Sequence, residues 1–258
     1  MPNPSIIFAS FATKGDSKYR DYSARIFEVQ QMIDSLESEV ILFDQLSLRT
    51  INTTEIERLY LSCRRGAGYW FWKPVILLNL VERYPSSFIV YFDIDVDILC
   101  LPPLNILTSV HESSSGFGAY LTDSELRHWT KKSLLKNIEI EEVSCIYEAS
   151  VLLVDASHVA VLKTLNLWRD KMQDPTKLLD DLFDFQGRHR HDQTILNIAK
   201  YTREIEIQDI GKDFWCKPEG VATQGIRLDK RAINLLSVLF HKFQLFIFLL
   251  RYNFFVFK

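Results

Sequence analysis

Three aspartates at alternate positions, Asp93, Asp95 and Asp97, follow directly on the apolar run Phe88 to Phe92 in the segment FIVYFDIDVD. In extended chain, alternate residues point the same way, so the three carboxylates can converge on one side. Such a cluster repels itself unless a cation or a basic partner neutralises it. Ligand sets made only of oxygen suit Mg²⁺ or Mn²⁺. Ligands of open α/β sheets sit beyond the carboxyl ends of the strands, which is where this cluster falls. Three readings stay open on these residues alone: a divalent metal that carries a diphosphate, an aspartate phosphatase nucleophile, and a solvated strand end. A calcium loop is disfavoured, because it needs Gly where Ile98 stands and Glu where Leu104 stands. The phosphatase pattern DxDx[TV] wants Thr or Val at Asp97 and usually lies near the N-terminus.

The segment Arg64 to Pro74, RRGAGYWFWKP, is dense in rings and cations. Its glycines do not complete GxGxxG, because Phe71 stands where the third Gly belongs. Rings stack on bases or sugars, and cations answer phosphate charge. Arg65, Tyr69 and Lys73, with Ser10 near the end of the first predicted strand, are therefore candidates for nucleotide binding, and Trp72 for substrate binding. The alternative is that Trp70 and Trp72 anchor the core. Further on, His189-Arg190-His191-Asp192-Gln193 precedes an apolar helical pattern, where an N-cap carboxylate is stable. His189 and His191 are candidates for substrate or metal contacts.

With these residues in place, the chain resembles the GT-A glycosyltransferases. FIVYFDIDVDIL resembles their strand-plus-DxD segment, whose two acids hold Mn²⁺ or Mg²⁺ against the donor diphosphate. Asp93 and Asp95 match those acids, and Asp97 is an additional one. GAGYWFWKP resembles the GYGYWxWKP segment of bacterial capsule and lipopolysaccharide glycosyltransferases. YEASVLLVD resembles the NAGVLLIN strand of retaining galactosyltransferase- and glycogenin-like enzymes, with Glu148 in place of Asn and Ser150 in place of Gly. HRHDQTILN resembles the DQDxLN helix start of the same enzymes. Their C-terminal His–Gly–Lys–Pro segment is matched only by Gly211 to Pro218, without the His. The resemblance implies a metal-dependent transfer from a nucleotide-diphosphate sugar, UDP-sugar favoured, to a glycan or lipid-linked acceptor in surface polysaccharide synthesis. It implies Asp192, Gln193 and Glu148 as catalytic residues and Asp93, Asp95 and Asp97 as metal ligands. Two other classes compete: a metal-dependent phosphohydrolase, which would place a Lys against the aspartates, and a non-catalytic sugar- or membrane-binding protein.

The elements that must position these residues are legible as alternating strands and helices. Ile6 to Ala12, Glu39 to Phe43 and Phe88 to Phe92 read as buried strands, and Tyr22 to Leu36 as a helix with apolar residues at helical spacing. Thr53 and Thr54 offer an N-cap to a helix at Glu55 to Leu61, and Pro74 opens an apolar helix that Pro85 stops. Strands follow near Gly116 to Leu121 and Ser150 to Val154, and helices at Val159 to Met172 and Gln193 to Tyr201. The alternation predicts an α/β fold of the GT-A kind, a mostly parallel mixed sheet flanked by helices.

Bulk composition bounds the rest. The chain has 258 residues, 47% of them hydrophobic and 24% charged, enough for one buried core. A net charge of -3 gives a nucleic-acid partner no support. Four scattered cysteines form no disulfide framework and suit a cytoplasmic protein. The short N-terminal apolar run lacks a basic leader, which argues against a signal peptide. Residues 1–225 are expected to form the catalytic domain. Residues 226–258 are a tail of basic residues among Phe and Leu, expected to contact the inner face of the cell membrane peripherally or to make oligomer contacts.

Overall fold

The computed structural model describes residues 5–12, 22–51, 53–61, 69–135, 145–179, 189–217 and 246–252. In chain order these form β1 (Ser5–Phe11), α1 (Tyr22–Asp34), β2 (Glu39–Phe43), α2 (Gln45–Leu48), α3 (Glu55–Leu61), α4 (Trp72–Arg83), β3 (Ser87–Asp93) and β4 (Asp97–Ile98). Then come α5 (Leu104–Glu112), β5 (Phe117–Thr122), a 3₁₀ turn (Leu126–His128), α6 (Lys132–Leu135), β6 (Ile146–Asp155), α7 (Val161–Met172), α8 (Pro175–Leu178), α9 (His191–Tyr201), β7 (Gln208–Asp209) and β8 (Trp215–Cys216).

Six strands form one sheet in the order β2-β1-β3-β6-β5-β7, and β4 pairs with β8 in a small second sheet. β1 runs parallel to β2 and β3, and β7 parallel to β5, whereas β6 is antiparallel to both β3 and β5. The sheet is thus mixed, as the sequence predicts. β3 is buried on both faces, which is why its sequence is an uninterrupted apolar run. Ile89 and Tyr91 enter one core cluster, Val90 and Phe92 the other.

Helices cover both faces. α4, α7 and α9 supply Ile76, Leu80, Leu165, Trp168 and Leu196 to the first cluster. α1 and α5 supply Val29, Ile33, Leu107 and Val110 to the second. α4 is apolar on nearly every side and correspondingly buried nearly all round. α3 starts on the predicted cap: Thr54 N–H donates to Glu57 Oε2 at 2.7 Å and Glu57 N–H to Thr54 Oγ1 at 3.2 Å. Of the C-terminal tail, residues 246–252 are helical. They pack inward through Phe248 and Tyr252 on Tyr60, with Phe248 and Tyr60 rings 4.9 Å apart.

Asn197 ties α9 to the sheet. Its amide is fully buried, accepts from Tyr147 N–H at 2.7 Å and donates to Tyr147 C=O at 2.8 Å, imitating a neighbouring strand. Replacing Asn197 by Ala leaves both backbone groups of Tyr147 buried without these partners. We expect a loss of about 2–4 kcal/mol in urea unfolding; a loss below about 1 kcal/mol would show that the tie is dispensable.

Candidate functional site

β3 delivers the first acid of the motif. Its last residue, Asp93, lies opposite Phe11, the last residue of the parallel strand β1. Both strands therefore end at the same edge of the sheet. Past Asp93 the chain does not stay extended. Ile94 and Asp95 form a turn closed by Val96 N–H donating to Asp93 C=O at 2.9 Å. The alternation expected for Asp93, Asp95 and Asp97 is broken there, because a tight turn re-aims each successive side chain. Asp97 instead opens β4 and pairs with Arg25 of α1 at 2.8 Å.

Asp93 sits on the face covered by α4. The Tyr91 hydroxyl, two residues back on the same strand face, donates to Asp93 Oδ1 at 2.8 Å. Burial and then the Asp93 carboxylate hold the Tyr91 phenol well above its ordinary pKa, so it stays a donor. From α4, the ammonium of Lys73 lies 3.1 Å from Asp93 Oδ1, 2.9 Å from Asp192 Oδ2 and 2.7 Å from the carbonyl of Ala149. These are three acceptors for three N–H donors. Lys73 is only 2% exposed. Burial works against its charge, but Asp192 and Asp93 outweigh that and raise its pKa. The Asp192 contact is an ion pair by distance, and among the described residues Asp192 Oδ2 is a buried oxygen without a hydrogen bond. Burial, opposed by Lys73 and reinforced by Asp93, raises the Asp192 pKa.

Asp192 is not the N-cap that the sequence suggested. α9 begins one residue earlier, at His191, with Arg190 as cap, so Asp192 lies in the first helical turn. Negative charge is still favoured there by the helix dipole. Trp168 N–H donates to the Asp192 carbonyl at 3.2 Å and secures the turn against α7.

The Ala149 carbonyl reaches Lys73 because β6 bulges. Its pairing with β5 jumps from Ala119–Leu152 to Tyr120–Glu148 and skips residues 149–151. A bulge of this kind frees backbone groups and re-aims side chains. Glu148, at the edge of the bulge, accepts from Lys217 at 2.8 Å and from the Ser150 hydroxyl at 2.9 Å. Burial alone would raise the Glu148 pKa, but Lys217, Ser150 and the more distant Lys212 lower it, so the group is a carboxylate.

The remaining candidates are placed as follows. Trp72 is buried and stacks on Phe11 at 4.1 Å, a core anchor rather than an open surface. Tyr69 is buried and meets the His191 ring edge-on at 5.1 Å. His189 and His191 are both buried, with ring nitrogens 2.8 Å from the Lys177 carbonyl and 2.7 Å from the Leu178 carbonyl, so they fasten α9 to α8. Gln193 is half-buried, and its carbonyl accepts from Asn197. Ser10 is fully buried beside Phe8 on the sheet face opposite Asp93, and among the described residues its hydroxyl has no hydrogen-bond partner. Arg65 lies outside the described residues. The geometry thus unites Asp93, Lys73 and Asp192, with Glu148 one residue from the Ala149 carbonyl. Sequence reasoning overlooked Arg25 and Tyr91; Tyr91, at i−2 from Asp93 on a strand, was findable from period-two spacing.

No protein-family model matches the chain, and no curated protein does. Its structure resembles solved glycosyltransferases. One is a glycosyltransferase involved in glycosylation of the major capsid of PBCV-1, at 13% identity and a TM-score of 0.43, with 80% of this chain and 81% of that one covered. Another is mouse xyloside xylosyltransferase 1, at 12% identity and 0.48, with 80% and 84% covered. A third is the galactosyltransferase LgtC in complex with donor and acceptor sugar analogs, at 15% identity and 0.36, with 75% and 70% covered. At such values the functional argument rests on the site itself.

The chemistry of the site fits a small hard cation. Mg²⁺-type ions are commonly held by one or two carboxylates plus substrate phosphates, not by an all-protein cage. Asp93 and Asp95 are both partly exposed, and Asp93 Oδ2 has only a long 3.5 Å contact with Lys73. Among the described residues no group of three His, Cys, Asp or Glu side chains is arranged around a metal position.

Lys73→Met should strand Asp93 and Asp192 without their shared cation and cost about 3–5 kcal/mol in urea unfolding. Lys73→Met/Asp192→Asn should regain part of that loss. A single-variant loss near zero would mean that the ammonium does not hold the site together.

Proposed function

We propose that this chain is a metal-dependent glycosyltransferase that moves a sugar from a nucleotide-diphosphate donor, UDP-sugar favoured, to a glycan or lipid-linked acceptor. The observation that carries the reading is the meeting of Asp93, at the carboxyl edge of β3, with Asp192, at the head of α9, through the buried Lys73. That sets the carboxylate we assign to the cation and a second carboxylate within 3.1 Å of one ammonium. Asp93 and Asp95 would hold Mn²⁺ or Mg²⁺, which when bound neutralises the leaving diphosphate as a Lewis acid.

The chain's own residues then have defined tasks. Asp192 offers negative charge to an oxocarbenium-like anomeric centre, and the carboxylate Glu148 is a second source of it, held by Lys217. Tyr91 and Lys73 fix the orientation of Asp93. We assign Lys73 to positioning rather than to the nucleotide, since its ammonium is buried among Asp93, Asp192 and the Ala149 carbonyl. Its burial against two carboxylates weighs against the phosphohydrolase reading, although that reading does ask for a Lys against the aspartates. A lysine that neutralises a substrate phosphate has to be reachable by it.

In the tail, Phe246 and Leu250 are exposed on the side opposite Phe248, and Arg251 is exposed on its flank. That composition supports peripheral contact with the inner face of the cell membrane. No helix among the described residues is long and apolar enough to cross a membrane.

The test is calorimetric titration of UDP and GDP with and without Mn²⁺. Asp95→Asn is the variant of choice, because Asp93 also neutralises Lys73 and its loss would disturb the fold. We expect metal-dependent binding of UDP, weakened at least about tenfold in Asp95→Asn. Asp192→Asn also takes a charge from Lys73, so its melting temperature is read first; with the fold retained, it should keep that binding and lose about 10²–10³ in transfer rate. Phosphate release without an acceptor, or binding indifferent to metal, would turn the assignment to a phosphohydrolase or a non-catalytic binder.

A further inference from the structure

We infer that Arg25 of α1 is a positioning residue for Asp95, a role that rests on the transfer reading above. Its guanidinium is mostly buried, with 15% of the side chain exposed. Nε donates to the Ile94 carbonyl at 2.7 Å, and Nη2 donates to the Val96 carbonyl at 2.9 Å and to Asp97 Oδ1 at 2.8 Å. Only the contact of Nη1 with Glu28, at 3.3 Å, faces outward.

These bonds bracket Asp95. The peptide plane before Asp95 carries the Ile94 carbonyl, which Arg25 fixes. The plane after Asp95 carries the Val96 N–H, which donates to Asp93 C=O at 2.9 Å. With both planes fixed, the direction of the Asp95 side chain from the backbone is fixed as well. The next carbonyl, of Val96, is held by the same guanidinium. The turn leaves the ladder of β3, so without Arg25 the Ile94 carbonyl loses its guanidinium donor. Arg25 also neutralises Asp97, two residues beyond Asp95, and so removes one like charge from the neighbourhood of Asp93 and Asp95. A lysine offers one compact ammonium and cannot span the two carbonyls and the carboxylate in the same plane.

Groups that orient a metal ligand from behind commonly change metal affinity about 10–100-fold when lost. The test compares wild type, Arg25→Lys, Arg25→Gln and Glu28→Gln, the last removing only the outward contact. Two quantities are read: amide hydrogen exchange of residues 94–98 without metal, and Mn²⁺-dependent UDP binding by calorimetry. We expect Arg25→Lys and Arg25→Gln to speed exchange in the turn, leave β1 and β6 protected, and weaken metal-dependent binding about tenfold or more. Glu28→Gln should match wild type in both. Unchanged turn exchange, or a uniform rise across the whole sheet with a falling melting temperature, overturns the inference in favour of a plain anchor for α1. Faster turn exchange with unchanged metal-dependent binding overturns it too. If wild type shows no metal-dependent binding, the transfer reading fails, and the positioning of Asp95 toward a metal fails with it. The turn exchange in the same experiment still distinguishes this from a clamp that is absent.

Discussion

The arrangement depends on one buried charge. Lys73 has lost nearly all its water, and an ammonium so placed persists only where acceptors replace that water at close range. Asp93, Asp192 and the Ala149 carbonyl do so, and each comes from a different element: β3, α9 and β6. The ion pair contributes little by itself to net stability once desolvation is counted. Its effect is geometric. Three elements distant in sequence can meet around one ammonium in only a narrow range of positions, so satisfying Lys73 also sets the relation of the two carboxylates.

Each neighbour of this centre departs from regular structure in order to reach it. β6 breaks register over residues 149–151, which turns a carbonyl toward Lys73 and leaves Glu148 at the sheet edge. β3 stops at Asp93 and turns, which separates Asp95 from Asp97. Regular ladders would have satisfied these backbone groups more simply. The irregularities lie together at one edge of the sheet, while the other end of β3 enters its ladder without interruption. Bulges are over-represented at sheet edges and beside active sites.

Much of the frame was legible because periodicity depends on local physics. EVILF and Glu55 to Leu61 form the strand and helix the pattern indicates, residue for residue, since an apolar run and a capping box are both local signals. Asp93 was legible for the same reason: an apolar strand that ends in acids leaves them at an edge. What the sequence could not reveal depends on the third dimension. Asp97 looks equivalent to Asp95 in one dimension, and only the approach of α1 commits it to Arg25, 72 positions away in the chain. Lys73 reads as a phosphate ligand beside Tyr and Trp until α4 turns it inward. His189 and His191 look reactive in a row of polar residues, yet they sit against the carbonyls of α8, a helix too short to stand out by pattern.

The segment that leads into α4 shows what this geometry costs. Tyr69 and Trp70 both adopt left-handed backbone, with φ of 56° and 60°, although neither is glycine. Each such residue stores about 1–2 kcal/mol of steric strain. Helical residues at those positions would relieve it but would shift the start of α4, and with it Lys73. The strain is offset locally. Trp70 stacks on His191 at 5.4 Å with nearly parallel rings, Tyr69 packs edge-on against the same imidazole, and Phe71 stacks on Tyr60. The Trp70 carbonyl accepts from Lys73 N–H at 3.1 Å, so the strained corner hands directly over to the residue on which the site depends. Since His191 immediately precedes Asp192, this aromatic stack joins the head of α4 to the head of α9 by a second route. Lys73 and Asp192 are thereby held together from both ends, by charge at their tips and by ring packing at their roots.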